Sequence, residues 1–128
     1  MRPEISPTLR VLVVEDERLI RWALTQALGD AGAAVVEASD AHSAIAALRD
    51  EGEGFDVAVL DVNLPGDDGF AICERLQELP AAPAVVLTSS HEISSFRRRL
   101  RTSLALGFIS KRDITPAALV SLLEAARR

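Results

Sequence analysis

One cysteine, one tryptophan and no tyrosine occur in the 128 residues. A lone Cys73 cannot close an internal disulfide, so packing must hold the fold together. Long apolar runs are missing as well. The stretch 57–60 is strand-sized, far short of the roughly 20 residues that a membrane-spanning helix needs. Positive charge is in deficit: a formal net charge of −5 opposes the counterion-releasing grip that basic domains take on nucleic acid, which argues against direct nucleic-acid binding. Residues 1–9 contain two prolines and no apolar core, so they do not resemble a secretory leader. These absences point to the reducing cytoplasm and away from membranes.

What is present fits one domain of ordinary size. Five short, nearly continuous apolar runs cover 10–14, 33–38, 55–60, 84–88 and 107–110. Continuity in place of alternation marks strands covered on both faces, as in parallel sheets. Helical stripes lie between them: Ile20, Ala23, Leu24, Ala27 and Leu28; then Ala41, Ala44, Ile45 and Leu48; and finally Leu119, Leu122, Leu123 and Ala126. Asp40 and Asp68 are candidate N-caps, and Thr115 precedes a proline at a first helical position. Gly29, Gly32, Gly52 and Gly54 mark helix exits. The pattern predicts an α/β fold, a flavodoxin-like doubly wound five-stranded parallel sheet of order 2-1-3-4-5 with helices on both faces. Residues 1–8 read as a flexible arm and 9–128 as the domain. The stretch 89–106, where Ile93, Phe96 and Leu100 favour a helix but the serines do not, is expected to be mobile.

In an open α/β sheet the functional crevice lies at the carboxyl ends of the strands. Here the first run ends in Glu15 and Asp16, the third in Asp61, the fourth in Thr88 and the fifth in Lys111. The expected strand order brings the three carboxylates together. Like charges that close raise one another's pKa unless a cation intervenes, and Mg²⁺ is bound by one or two carboxylates plus water and phosphate oxygens. Lys111 and the Thr88 hydroxyl can then meet phosphoryl oxygens, and an ionised Asp61 can attack phosphorus directly.

Four segments carry a family resemblance: VLVVEDE at 11–17, DVAVLDVNLPGDDG at 56–69, VVLTS at 85–89 and GFISK at 107–111. In this order, at strand ends, they resemble the response-regulator receiver domain of bacterial two-component signalling, in its stand-alone, chemotaxis-receiver form. The resemblance implies that Asp61 is the phosphoacceptor and that Glu15, Asp16, Asp61 and the backbone carbonyl of Asn63 hold Mg²⁺. It further implies that Thr88 and Lys111 contact the phosphoryl group and that Phe108 changes rotamer with Thr88. Arg97, Arg98 and Arg101, with Arg99 among them, would lie on the face made by the fourth helix, fifth strand and fifth helix. The cluster reads either as a solvated helix face or as a docking site for an acidic partner or a second protomer, the latter in a phosphorylation-dependent homodimer.

The implied partners are a histidine kinase or histidine phosphotransfer protein upstream and a protein target downstream. The 128 residues leave no room for a DNA-binding or enzymatic output unit, so output is expected through an altered protein surface. Catalysis is expected to extend only to the chain's own phosphorylation and dephosphorylation. Two departures bear on the switch: Arg112 follows Lys111 where the family often has a cis proline, so a trans bond is expected, and Phe108 stands where tyrosine is frequent. A small-substrate phosphatase with an aspartyl intermediate is a rival reading, although such enzymes often carry an acid where Asn63 stands. A pseudo-receiver scaffold is another. Gly66 to Gly69 reads as a turn into a helix, lacking the lysine of a phosphate-binding loop. Trp22 is expected to pack on the last helix, His42 and His91 to be surface residues, and Cys73 to be half-buried in the third helix.

Overall fold

The computed structural model describes residues 8–51, 54–64, 66–80, 82–90 and 97–126. The chain runs β1 (Arg10–Val14), α1 (Arg18–Asp30), β2 (Ala34–Ala38), α2 (Ala41–Glu51), β3 (Val57–Asp61), β4 (Asn63–Leu64), β5 (Asp67–Asp68), α3 (Gly69–Gln77), β6 (Ala84–Ser89), α4 (Arg97–Thr102), β7 (Gly107–Ser110) and α5 (Pro116–Ala126). Five of these strands form one parallel sheet in the order β2-β1-β3-β6-β7, which is the expected 2-1-3-4-5 order. The two-residue strands β4 and β5 pair antiparallel as a hairpin where the sequence pattern suggests only a plain turn.

Alternation along each strand divides the core into two layers, because successive side chains point to opposite faces. Leu12, Val14, Ala58, Leu60, Val85 and Leu87 face α2 and α3, where Ala44, Leu48, Ile72, Cys73 and Leu76 cover them. Val11, Val13, Val57, Val59 and Val86 face the other way, against Leu24 and Leu28 of α1 and Leu119 of α5. Both faces being dry is why these strands read as unbroken apolar runs.

Side-chain caps start three helices where expected. Asp40 Oδ1 accepts from the Ser43 N–H at 2.8 Å, Asp68 Oδ1 from the Phe70 N–H at 2.8 Å and Thr115 Oγ1 from the Ala118 N–H at 3.1 Å. Among the expected glycine exits, Gly32 fits, with φ of +104° just beyond α1. Gly29 instead lies inside the last turn of α1, Gly54 abuts the Arg10 guanidinium, and Gly52 is outside the described residues.

Two other expectations, those for Trp22 and Cys73, need correction. Trp22 is 60% exposed, beside Arg18 and Leu19, and is not packed on α5. Cys73 is fully buried in the α3 layer, not half-buried. Of the stretch 89–106, Ser89 ends β6 and Arg97–Thr102 is helical, while 91–96, with His91, Ile93 and Phe96, lie outside the described residues. His42 is exposed on α2. No helix among the described residues is long and apolar enough to cross a membrane.

Candidate functional site

Parallel strands end at the same edge of a sheet, so this fold collects whatever side chains follow β1, β3, β6 and β7. Glu15 and Asp16 leave β1, Asp61 closes β3, Thr88 sits opposite Asp61 in the β3–β6 register, and Lys111 follows β7. Carboxylate oxygens of Glu15, Asp16 and Asp61 lie within 4.8 Å of one another. Glu15 and Asp61 are buried, and Asp16 is partly exposed at the mouth. The three predicted acids therefore converge.

Lys111 enters the same cluster. Its ammonium donates to Asp61 Oδ2 at 2.9 Å and forms an ion pair with Glu15 Oε1 at 2.6 Å. Backbone donors hold the remaining oxygens. The Glu17 N–H reaches Glu15 Oε2 at 3.0 Å, and the Asn63 N–H reaches Asp61 Oδ1 at 2.9 Å. Burial, joined by the charge of Asp61, raises the Glu15 pKa despite the opposing pull of Lys111 and the Glu17 N–H. For Lys111, burial alone would favour the neutral amine, but its bonds to Glu15 and Asp61 and their charges prevail and raise its pKa. The site thus keeps its ammonium charged at neutral pH.

The loop geometry has local causes. Gly69 donates its N–H to the Val62 carbonyl at 2.8 Å, and a Cβ there would come within 2.5 Å of the Asp61 carbonyl oxygen. Only glycine allows α3 to start this close behind Asp61. On the other side of the site, Arg21 of α1 donates to the Glu15 carbonyl at 2.8 Å and the Asp16 carbonyl at 3.4 Å, while its Nε meets Glu37 Oε1 at 3.2 Å. Sequence reasoning missed Arg21. A basic residue one turn into a helix after an acid pair is too common a pattern to single out.

Of the arginines on α4, Arg97, Arg98 and Arg101 are exposed. Arg99 is drawn away: it pairs with Asp68 and stacks over the Phe70 ring, 4.3 Å from its centroid. Phe108 is partly buried against the α2–α3 layer. The Lys111–Arg112 peptide bond is trans, as are all others among the described residues.

The whole of this arrangement falls inside one family signature. A family model, the response regulator receiver domain, matches residues 11–124. The chain belongs to the response-regulator receiver family. Among similar curated proteins, the transcriptional regulatory protein TcrA of Mycobacterium tuberculosis is 42% identical over 82 residues, 63% of this chain and 32% of that protein. The transcriptional regulatory protein ResD of Bacillus subtilis is 35% identical over 83 residues, 65% of this chain and 34% of its own length. The alignments thus span only about a third of these relatives.

Solved receivers share the fold. A CheY-like receiver domain from Methylobacillus flagellatus has a TM-score of 0.77 at 22% identity, covering 93% of this chain and 98% of its own. A LuxR-family response regulator from Aurantimonas reaches 0.76 at 29% identity, covering 94% and 85%. Receiver domains bind Mg²⁺ through acidic residues, and the donors here suit that ion. They are hard oxygens at one sheet edge with more carboxylates than ammonium groups to balance them. At this edge the buried Thr88 Oγ1 has no hydrogen-bond partner among the described residues, whereas Glu15 Oε1 meets the Lys111 ammonium. Such an orphan is costly unless a ligand satisfies it.

Proposed function

We propose that this receiver is a phosphoacceptor switch in a two-component phosphorelay, with residues 9–128 as the working unit and residues 1–8 as an arm. Asp61 accepts the phosphoryl group from a histidine kinase or histidine phosphotransfer protein. The observation that carries the reading is the convergence of Asp61 with Glu15, Asp16 and the Lys111 ammonium at one strand edge.

An Asp61 carboxylate oxygen attacks the donor phosphorus; the new P–O bond forms as the P–N bond to the donor imidazole breaks, and the leaving nitrogen takes a proton. Glu15, Asp16, Asp61 and the Asn63 carbonyl are the proposed Mg²⁺ ligands. When bound, Mg²⁺ offsets the repulsion among the acids and the charge on the phosphoryl oxygens. Lys111 already touches Asp61 Oδ2, which positions its ammonium to follow a phosphoryl oxygen. The Thr88 hydroxyl, paired in sheet register with Asp61 and without a partner among the described residues, donates to another. Stabilising charge on these oxygens is the main catalytic demand of phosphoryl transfer.

Movement of Thr88 toward the phosphoryl group opens space for Phe108, and the change is read on the surface carrying Arg97, Arg98 and Arg101. The partner there is an acidic protein face or a second protomer. Phe108 has no hydroxyl to hold it toward water, so its two rotamers are separated by less free energy than a tyrosine's. Incubation with acetyl phosphate and Mg²⁺ should label the protein on a single base-labile site. Labelling that persisted in Asp61→Asn would defeat the assignment.

A further inference from the structure

The Glu15–Asp16 turn is held by more than its own helix. The Glu15 N–H donates to the Ala38 carbonyl at the end of β2, at 3.0 Å, and the Glu15 side chain accepts from the Glu17 N–H. The backbone carbonyls of Glu15 and Asp16 are both taken by Nη1 of Arg21. The same guanidinium is anchored from behind by Glu37, the neighbour of Ala38 on β2. Arg21 side-chain exposure is only 19%, so the fork is fixed by packing as well as by its partners. Its planarity lets one edge serve the turn while the Nε edge serves the carboxylate, which a lysine ammonium cannot do in one geometry.

We infer that Arg21 is a positioning residue for Mg²⁺ binding: bridged to Glu37, it fixes the Glu15–Asp16 turn so that both carboxylates face Asp61. It touches neither metal nor phosphoryl group; it acts through the backbone of the two acids. The inference rests on the phosphoacceptor reading above. Outer partners that orient ligands typically change metal affinity by about 10–100-fold when removed.

Mg²⁺ alone, titrated into the apo protein and followed by the amide shifts of Asn63 and Gly69, is the test. Arg21→Ala should raise the Kd on the order of tenfold, Arg21→Lys less, and Glu37→Gln less again because the carbonyl contacts survive. Acetyl phosphate labelling of Arg21→Ala should recover toward wild type at saturating Mg²⁺, since the nucleophile is intact. Leu28→Ala, at the far end of the same helix, serves as a destabilised control. An unchanged Kd in Arg21→Ala overturns the inference, and so does an equal loss in Leu28→Ala, which would trace the effect to a loosened helix. If Arg21→Ala fails to fold, the same comparison is made with Arg21→Lys and Glu37→Gln. Failure of the wild-type protein to bind Mg²⁺ would instead overturn the phosphoacceptor reading.

Discussion

Lys111 and Cys73 respond to burial in opposite senses, and the difference shows what each residue is for. The ammonium of Lys111 is drawn into a buried cluster because two carboxylates meet it there. The thiol of Cys73 has no such partner, and burial, aided by the charge of Glu74, pushes its pKa to about 11. It is therefore an apolar filler of the α3 layer, poorly supplied with the thiolate that reactive cysteines need. Both folded-state pKa values are raised, so both contributions are complete below the unfolded pKa and decline as pH rises through the folded one. For Cys73 the window runs from about 9 to about 11. That span corresponds to about 2.7 kcal/mol of stability lost across it. Urea unfolding at intervals between pH 8 and 11 should show a shallower decline in Cys73→Ala than in wild type, whatever the offset from the cavity. Parallel slopes would show that the thiol ionises as freely in the folded protein as in the unfolded chain.

At the scale of elements, one carboxylate joins two helices. Asp68 caps α3 through Oδ1 and pairs with Arg99 of α4 through Oδ2. Burial would raise its pKa, but Arg99 and the Phe70 N–H prevail and lower it. Asp68→Ala should cost about 1 kcal/mol for the cap and up to about 1 kcal/mol more for the exposed pair. Asp68→Asn keeps the cap and should cost about half as much. In the Arg99→Ala background the cost of Asp68→Asn should shrink toward zero while that of Asp68→Ala falls to the cap alone, as measured by urea midpoints; an undiminished cost of Asp68→Asn would mean that Arg99 contributes nothing through Asp68.

That link could not be read in the sequence, because Arg99 is one of five arginines within 97–112 and nothing local tells which turns inward. The strands, by contrast, were legible residue by residue. From Val11, Val57 and Val85 onward, β1, β3 and β6 are dry on both faces and contain only apolar side chains until Glu15, Asp61 or Thr88 ends the run. The site was legible for the same reason, since Glu15, Asp61 and Thr88 are polar where burial would otherwise forbid it. Trp22 misled because size and aromaticity suggest burial, whereas the α1–α5 layer is already filled by Leu24, Leu28 and Leu119. The β4–β5 hairpin escaped because two-residue strands carry no periodicity.

For the whole molecule, the sign of the charge and its placement act together. A chain of net charge −5 concentrates three acids at one sheet edge, with a single ammonium among them, so folding brings like charges together that the unfolded chain keeps apart. A divalent cation that binds only the folded arrangement must then stabilise it by mass action. At a free concentration 100 times the Kd the gain is about 2.7 kcal/mol. For a domain of this size that corresponds to a rise in Tm of roughly 10 °C. General screening by salt acts on all charges and at longer range, so NaCl at matched ionic strength should give a much smaller rise. Asp61→Asn, with one ligand charge removed, should melt higher than wild type in the absence of Mg²⁺ and gain less from it. A wild-type protein that gained no more from MgCl₂ than from matched NaCl would show that the acids at the strand edge do not act as one cation site.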